Sequence, residues 1–157
     1  MSLYETLIGR FCELNGLDHP DEIALGAPLD IGGVTCSITA SQHDQTNAAV
    51  VYVDFGAVPS GRERPVYEEL LVQTFVGAPQ AGVMFGFSPV SKNVICVQHL
   101  RVDEIDAQKL SNILHHLAEK AVEWRRTYFL ENEPAAVAQR PIAGSARAAL
   151  DARLRRP

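Results

Sequence analysis

The sequence predicts an α+β fold: helix, three strands, helix, two strands, helix, with the helices packed on a mostly antiparallel twisted sheet. Three observations carry this. The β-branched and alternating runs are grouped between helix-like runs instead of interleaving with them one by one, which disfavours a parallel βαβ arrangement. The strand-like runs are short and bounded by Gly, Pro and Asn turn signals. The 157 residues suffice for one core and are too few for two ordinary domains.

Ser2 to about Asn15 reads as a helix, with Ser2 as N-cap, Glu5 three residues on and Gly16 as the stop. A loop follows at Asp18–Asp21, then a short first strand over Glu22–Ala27 and a Gly32-Gly33 turn. Val34 to Ser41 alternates: Val34, Cys36, Ile38 and Ala40 face one way and Thr35, Ser37, Thr39 and Ser41 the other, the pattern of a half-buried strand. Gln42–Asn47 is a polar hairpin loop, and "AAVVYVDF" from Ala48 is a β-branched strand. Gly56–Arg64 is a loop. Pro65 suits the first turn of a helix that runs to about Val76. "AGVMFGFSP" and "NVICVQHL" form two strands around a Pro-Val-Ser-Lys turn. The longest helix spans Asp103 to about Leu130, with Ile113, Leu114, Leu117, Ala121, Trp124 and Tyr128 recurring on one face. After Leu130 the composition turns to Ala, Pro and Arg, and Arg140, Arg147, Arg153, Arg155 and Arg156 make this stretch basic. The chain is therefore divided into a domain at 1–130 and a flexible tail at 131–157.

Composition excludes several classes. Hydrophobic content is 46%, charged content 21% and the formal net charge −5. That is a globular composition, and it lacks the basic face that nucleic-acid binding needs. No run approaches a membrane span, and the start does not read as a signal peptide, so cytoplasmic residence and no membrane insertion are expected. Cys12, Cys36 and Cys96 are widely spaced with no Cys-x-x-Cys, so neither a disulfide framework nor a zinc site is expected, and no cofactor is implied.

Catalytic motifs fail on inspection. Asp54-Phe55-Gly56 has the letters of a kinase metal motif, but the Gly-rich loop, strand lysine and catalytic-loop Asp/Asn pair are missing. His115 and His116 are adjacent on a helix, about 100° apart, and do not share a face. His115 and Glu119 share one as an ordinary solvated pair, and the acidic residues at helix starts suit the helix dipole. The chain is expected not to be an enzyme.

What stands out is apolar surface. In the middle helix Val66, Leu70 and Thr74 form one line and Tyr67, Leu71 and Phe75 a second, an arc of about 180° against the roughly 100° of a one-sided helix. The first helix repeats this, with Leu3, Leu7, Phe11 and Leu14 beside Tyr4, Ile8 and Cys12. One stripe of each can pack on the protein's own sheet. The other either wedges against a second element of the same chain or meets a partner, and two such helices in a small one-sheet domain favour the partner.

In element order, and in the stretches "YETLIGRFCELNGL", "RPVYEELLVQTF" with Leu70-Leu71, and "GVMFGFSPVSKNVICVQHLRVDEID" leading into "LSNILHHLAEKAVEWRR", the chain resembles the type III secretion chaperones of the Tir-chaperone, or class I effector-chaperone, family. The resemblance covers roughly residues 1–130. It implies a bacterial cytoplasmic homodimer without enzymatic activity that binds the N-terminal segment of a secreted effector in extended form and keeps it soluble and export-competent, with the export ATPase as a further contact. It also implies a dimer interface on the middle helix and the strand after it, at Val66, Tyr67, Leu70, Leu71, Phe75, Met84 and Phe85. Client contacts are implied on the first helix and sheet, at Leu3, Tyr4, Leu7, Ile8, Phe11 and Ile38, where the client can add a strand. The alternative class is a small-molecule-binding or catalytic α+β domain with a pocket between sheet and helix. Polar groups converging in a closed cavity distinguish it from an open apolar groove.

Overall fold

The computed structural model describes residues 1–42 and 47–130. The expected tail at 131–157 and most of the Gln42–Asn47 loop lie outside the described residues.

Helix α1 (Leu3–Asn15) begins with a capping box. The Glu5 amide donates to Ser2 Oγ at 3.1 Å and the Ser2 amide to Glu5 Oε2 at 2.7 Å. It ends at Gly16, whose φ of 64° lets the Leu17 amide reach back to the Cys12 carbonyl at 2.9 Å. The next segment differs from expectation. Residues Pro20–Ala24 form a short helix, α2, and the expected strand over Glu22–Ala27 is absent apart from a single bridge between Leu25 and Thr39. Pro20 at the first helical position and Asp21 and Glu22 in the first turn start a helix, and they outweigh the apolar alternation of Ile23 and Leu25.

The sheet has five strands: β1 (Leu29–Ile31), β2 (Val34–Ala40), β3 (Ala48–Ala57), β4 (Val83–Phe87) and β5 (Asn93–Arg101). They are ordered β1-β2-β3-β5-β4 and every pairing is antiparallel. The first strand is thus displaced to Leu29–Ile31, where Gly32 and Gly33, both at positive φ, close the hairpin to β2. β3 runs past its expected end because a bulge between Asp54 and Gly56 shifts its register against β5.

Helix α3 (Glu63–Ala81) extends beyond the expected Val76. Pro79 removes only one amide donor near the end of the helix, which then stops at Gly82, whose amide reaches the Ala78 carbonyl at 3.1 Å. The segment Val102–Glu104 is a 3₁₀ turn. Helix α4 (Ala107–Thr127) starts later than Asp103 because Asp106 is its N-cap and accepts from the Lys109 amide at 2.8 Å.

The core lies on one face of the sheet. Val34, Cys36, Ile38, Val51, Val53, Phe55, Val94 and Cys96 point from it toward Ile8, Phe11, Leu110, Leu114 and Trp124 of α1 and α4, and all are buried. Phe55 and Trp124 meet with ring centroids 5.9 Å apart, and Trp124 meets Tyr128 edge-on at 4.9 Å.

Candidate functional site

Two exposed apolar features lie on the helices that the sequence singles out. The first is a groove of about 650 Å³ between α1, the 3₁₀ turn and the start of α4. Leu3, Leu7 and Leu14 come from one side of α1, while Val102 and Ile105 close the opposite wall. Arg10, Glu13 and Asp106 give it a rim of both signs. Leu3 is 52% exposed and Leu14 is equally open, whereas Leu7 lies at the buried base. The groove walls are held together by polar contacts at one end: Ser111 Oγ donates to Asn15 Oδ1 at 3.0 Å, and Asn15 Nδ2 donates to the Phe11 carbonyl at 2.8 Å.

This placement corrects the reading of α1. Tyr4, Ile8 and Phe11, with Ile38 of β2, are buried core side chains of the chain itself. The helix is wedged, with α4 along one side and α2 and β2 along the other. Both its stripes are used within the chain, except at Leu3 and Leu14. The Tyr4 hydroxyl sits 2.9 Å from the Ala24 carbonyl and 3.1 Å from that of Ile38, so its single proton is shared between them. Burial pushes its pKa up to about 12.

The second feature lies on α3 and the edge strand β4. Val66 and Leu70 are buried in the chain's own core, as is most of Phe85, which meets Phe55 edge-on at 5.2 Å. Val66 and Leu70 are therefore not surface residues, and Phe85 is only partly exposed. Tyr67, Leu71, Phe75 and Met84 are exposed, Leu71 by 69% and Phe75 by 56%, and Phe87 joins them through an edge-on contact with Tyr67 at 6.2 Å. Met84 and Phe85 part because neighbouring strand residues point to opposite faces: Phe85 is level with buried Cys96, and Met84 with Val97 on the open face. The Phe85 amide donates to Thr74 Oγ1 at 3.0 Å, which ties α3 to the strand edge.

No catalytic arrangement assembles among the described residues. Both Asp54 carboxylate oxygens lie 3.0 Å from Asn93 Nδ2. His115 Nδ1 is engaged with the Ser111 carbonyl of its own helix at 2.8 Å. The three cysteines are buried free thiols, and burial raises Cys36 to about 11 and Cys96 to about 12, so neither is a thiolate near neutrality. Among the described residues no group of His, Cys, Asp and Glu could hold a metal ion, and no helix is long and apolar enough to cross a membrane.

Sequence reasoning had missed Val102, Ile105 and Phe87. The first two stand three residues apart in "VDEI", a spacing that signals a shared face, but they straddle the expected start of the longest helix at Asp103.

No curated protein matches the chain in sequence. Several solved structures match in fold. The ExsC–ExsE complex matches at a TM-score of 0.61 and 16% identity, covering 79% of this chain and 92% of that one. The HopA1–SchA chaperone–effector complex matches at 0.63 and 13%, covering 79% and 94%. The Yersinia pestis type III secretion chaperone SycH, in complex with a stable fragment of YscM2, matches at 0.56 and 15%, covering 76% and 98%. At these identities the likeness speaks to the fold. The family assignment comes from the sequence itself: the model of the Tir chaperone protein (CesT) family matches residues 27–125, well over half the chain, and the chain belongs to that family.

Proposed function

We propose that this chain is a bacterial cytoplasmic, non-enzymatic chaperone of type III secretion that holds the N-terminal segment of an effector in extended form. The observation that carries the reading is the open groove between α1 and α4, where Leu3 and Leu14 stay uncovered in the isolated chain and Ile105 is half-buried over a base of Leu7 and Val102. A disordered segment laying apolar side chains there gains burial without first folding, which leaves it thin enough for export. The client's backbone can also pair with the sheet. β4 is blunted by Thr74 at Phe85, whereas β1 is a short outer strand paired on one side only, so strand addition is assigned to the β1 edge.

The homodimer belongs to the same proposal. Tyr67, Leu71, Phe75 and Met84 form its contact surface, with Val66, Leu70 and Phe85 supporting it from beneath. A contiguous exposed apolar surface of this kind on an otherwise charged protein favours association. Two protomers then offer two grooves to one client, and the export ATPase receives the complex.

The test is reconstitution. The chain is co-expressed with candidate effectors of its own bacterium, and complexes are isolated and trimmed by protease. The reading expects protection of an N-terminal effector segment, and loss of that protection with Leu3→Asp and Leu14→Asp. Protection of a folded effector domain in place of that segment overturns it.

A further inference from the structure

A second groove, of about 520 Å³, lies where α4 meets α3, β4 and β5. Its floor is apolar, at Val83, Phe85 and Leu117, and its mouth carries Lys109, His116 and Lys120. These three are seven and four residues apart on α4, so they stand in a row along one helix face. The chain has a net charge of −5 and only three lysines, and two of them are here. No Asp or Glu lines this groove, whereas Glu13 and Asp106 line the groove beside α1. Among the described residues neither lysine has an ion-pair partner. The Asp106 carboxylate is occupied with the Lys109 amide, capping the helix. The Lys120 charge is close enough to the sheet to oppose the effect of burial on the Cys96 thiol.

The spacing accommodates an extended ligand. Lys109 and Lys120 are eleven positions apart on one helix, about 16 Å along its axis. An extended chain advances about 3.3 Å per residue and places every second side chain on one face. Positions i, i+2 and i+4 therefore span about 13 Å, and flexible lysine side chains cover the remainder.

We propose that this groove docks an extended protein segment of the pattern acidic–x–apolar–x–acidic, with the apolar side chain seated over Phe85 and Leu117 and the two carboxylates on Lys109 and Lys120. This is a third interaction surface, separate in position and in charge from the α1 groove and adjoining the α3–β4 face at Phe85, and it does not depend on what the α1 groove binds.

The probe is a capped peptide with glutamate, leucine and glutamate at alternate positions and serines between and around them, titrated into the full chain and followed by backbone amide NMR. Shifts are expected at Val83, Phe85, Lys109, His116 and Lys120, and binding is expected to weaken several-fold on raising salt from about 50 to 300 mM. Lys109→Gln with Lys120→Gln should weaken it about ten-fold, the paired Arg variants should retain it, and Leu3→Asp should leave it unchanged. Both lysines are exposed, so these variants keep the fold. Four results overturn the proposal: no shift at millimolar peptide; equal binding by the peptide with lysine for glutamate or serine for leucine; shifts confined to Leu3 and Leu14; or a short single-stranded oligonucleotide competing for the same lysines more tightly than the peptide.

Discussion

Arg125 of α4 reaches across to the backbone of Asp54 in β3, its Nη2 donating to the Asp54 carbonyl at 2.8 Å. The same guanidinium donates from Nε to the Phe55 carbonyl at 2.8 Å and from Nη1 to the Gly33 carbonyl at 3.2 Å. The bulge at Asp54–Gly56 interrupts the ladder to β5, and one side chain supplies three donors to that bulge and to the β1–β2 turn. Gly56 contributes as well: its φ is 110°, and a side chain there would stand 3.6 Å from Arg125 Nε.

Arg125→Ala is therefore expected to destabilise the fold by about 1–2 kcal/mol, discounted for a partly solvated guanidinium. Arg125→Lys should recover only part, because an ammonium cannot present the planar fork. Urea melts followed by emission of the single, fully buried Trp124 measure this. A change below about 0.3 kcal/mol for Arg125→Ala would mean the bulge is held by the sheet alone.

Much of this architecture could be read from residues whose signals are local. Ser2, Glu5 and Gly16 bound α1 because a cap is a short-range device, and Val34–Ala40 shows its buried face because one side of that strand meets the core and the other does not. The first strand was misplaced because β1 has three residues, too few to display a period, while Ile23 and Leu25 alternate by chance within a helical turn and its exit. The two stripes of α1 were legible as stripes. What covers them was not, since the packing of α2 and α4 against α1 is a tertiary fact. On α3 the same pattern divides differently, with Val66 and Leu70 inside and Leu71 and Phe75 outside. Periodicity counts apolar faces and does not say which neighbour occupies them.

Stability should fall at high pH. Tyr4 titrates at an ordinary 10.0 when unfolded and at about 12 in the fold, and Cys36 and Cys96 rise from 9.0 to about 11 and about 12. In each case the fold keeps a proton that the unfolded chain releases, so the contribution is complete below about pH 9 and is lost as pH climbs toward 12. Urea midpoints at pH 8 and pH 10.5 should differ, the higher pH being less stable. The Cys36→Ala/Cys96→Ala double variant should show a shallower decline. An unchanged midpoint for the wild type would contradict the burial of these groups.

Thiol reagents offer an independent reading of the same core. Cys12, Cys36 and Cys96 are all buried, and burial raises the pKa of each. A disulfide-exchange chromogen at pH 8 should label none of them in the folded chain within minutes and all three in denaturant. Rapid labelling of Cys12 in the native state would show that α1 opens away from α4.

The surface on α3 makes a prediction about mass. Leu71 is exposed in the single chain, so Leu71→Glu should leave the protomer fold intact, within about 0.5 kcal/mol. In the proposed dimer the same change buries an unpaired carboxylate, which costs several kcal/mol. Light scattering should report a dimer for the wild type at micromolar concentration and a folded monomer for the variant. A wild-type monomer at that concentration defeats the dimer.

The last prediction concerns α1, where core and groove meet within one helical turn. Ile8 is fully buried and Leu7 nearly so, therefore Leu7→Asp and Ile8→Asp should both destabilise by a few kcal/mol through an unpaired buried carboxylate. Leu3 sits one turn earlier on the line of Leu7 but opens into the groove, so Leu3→Asp should leave the urea midpoint almost unchanged. Under the proposed function it should still release the effector segment, since it places a charge where the client buries an apolar anchor. Urea melts on all three variants, with a pull-down on the folded one, separate the two effects. Should Leu3→Asp fold normally and hold the effector as tightly as the wild type, the client does not use this groove, and strand addition at the β1 edge would have to carry the binding.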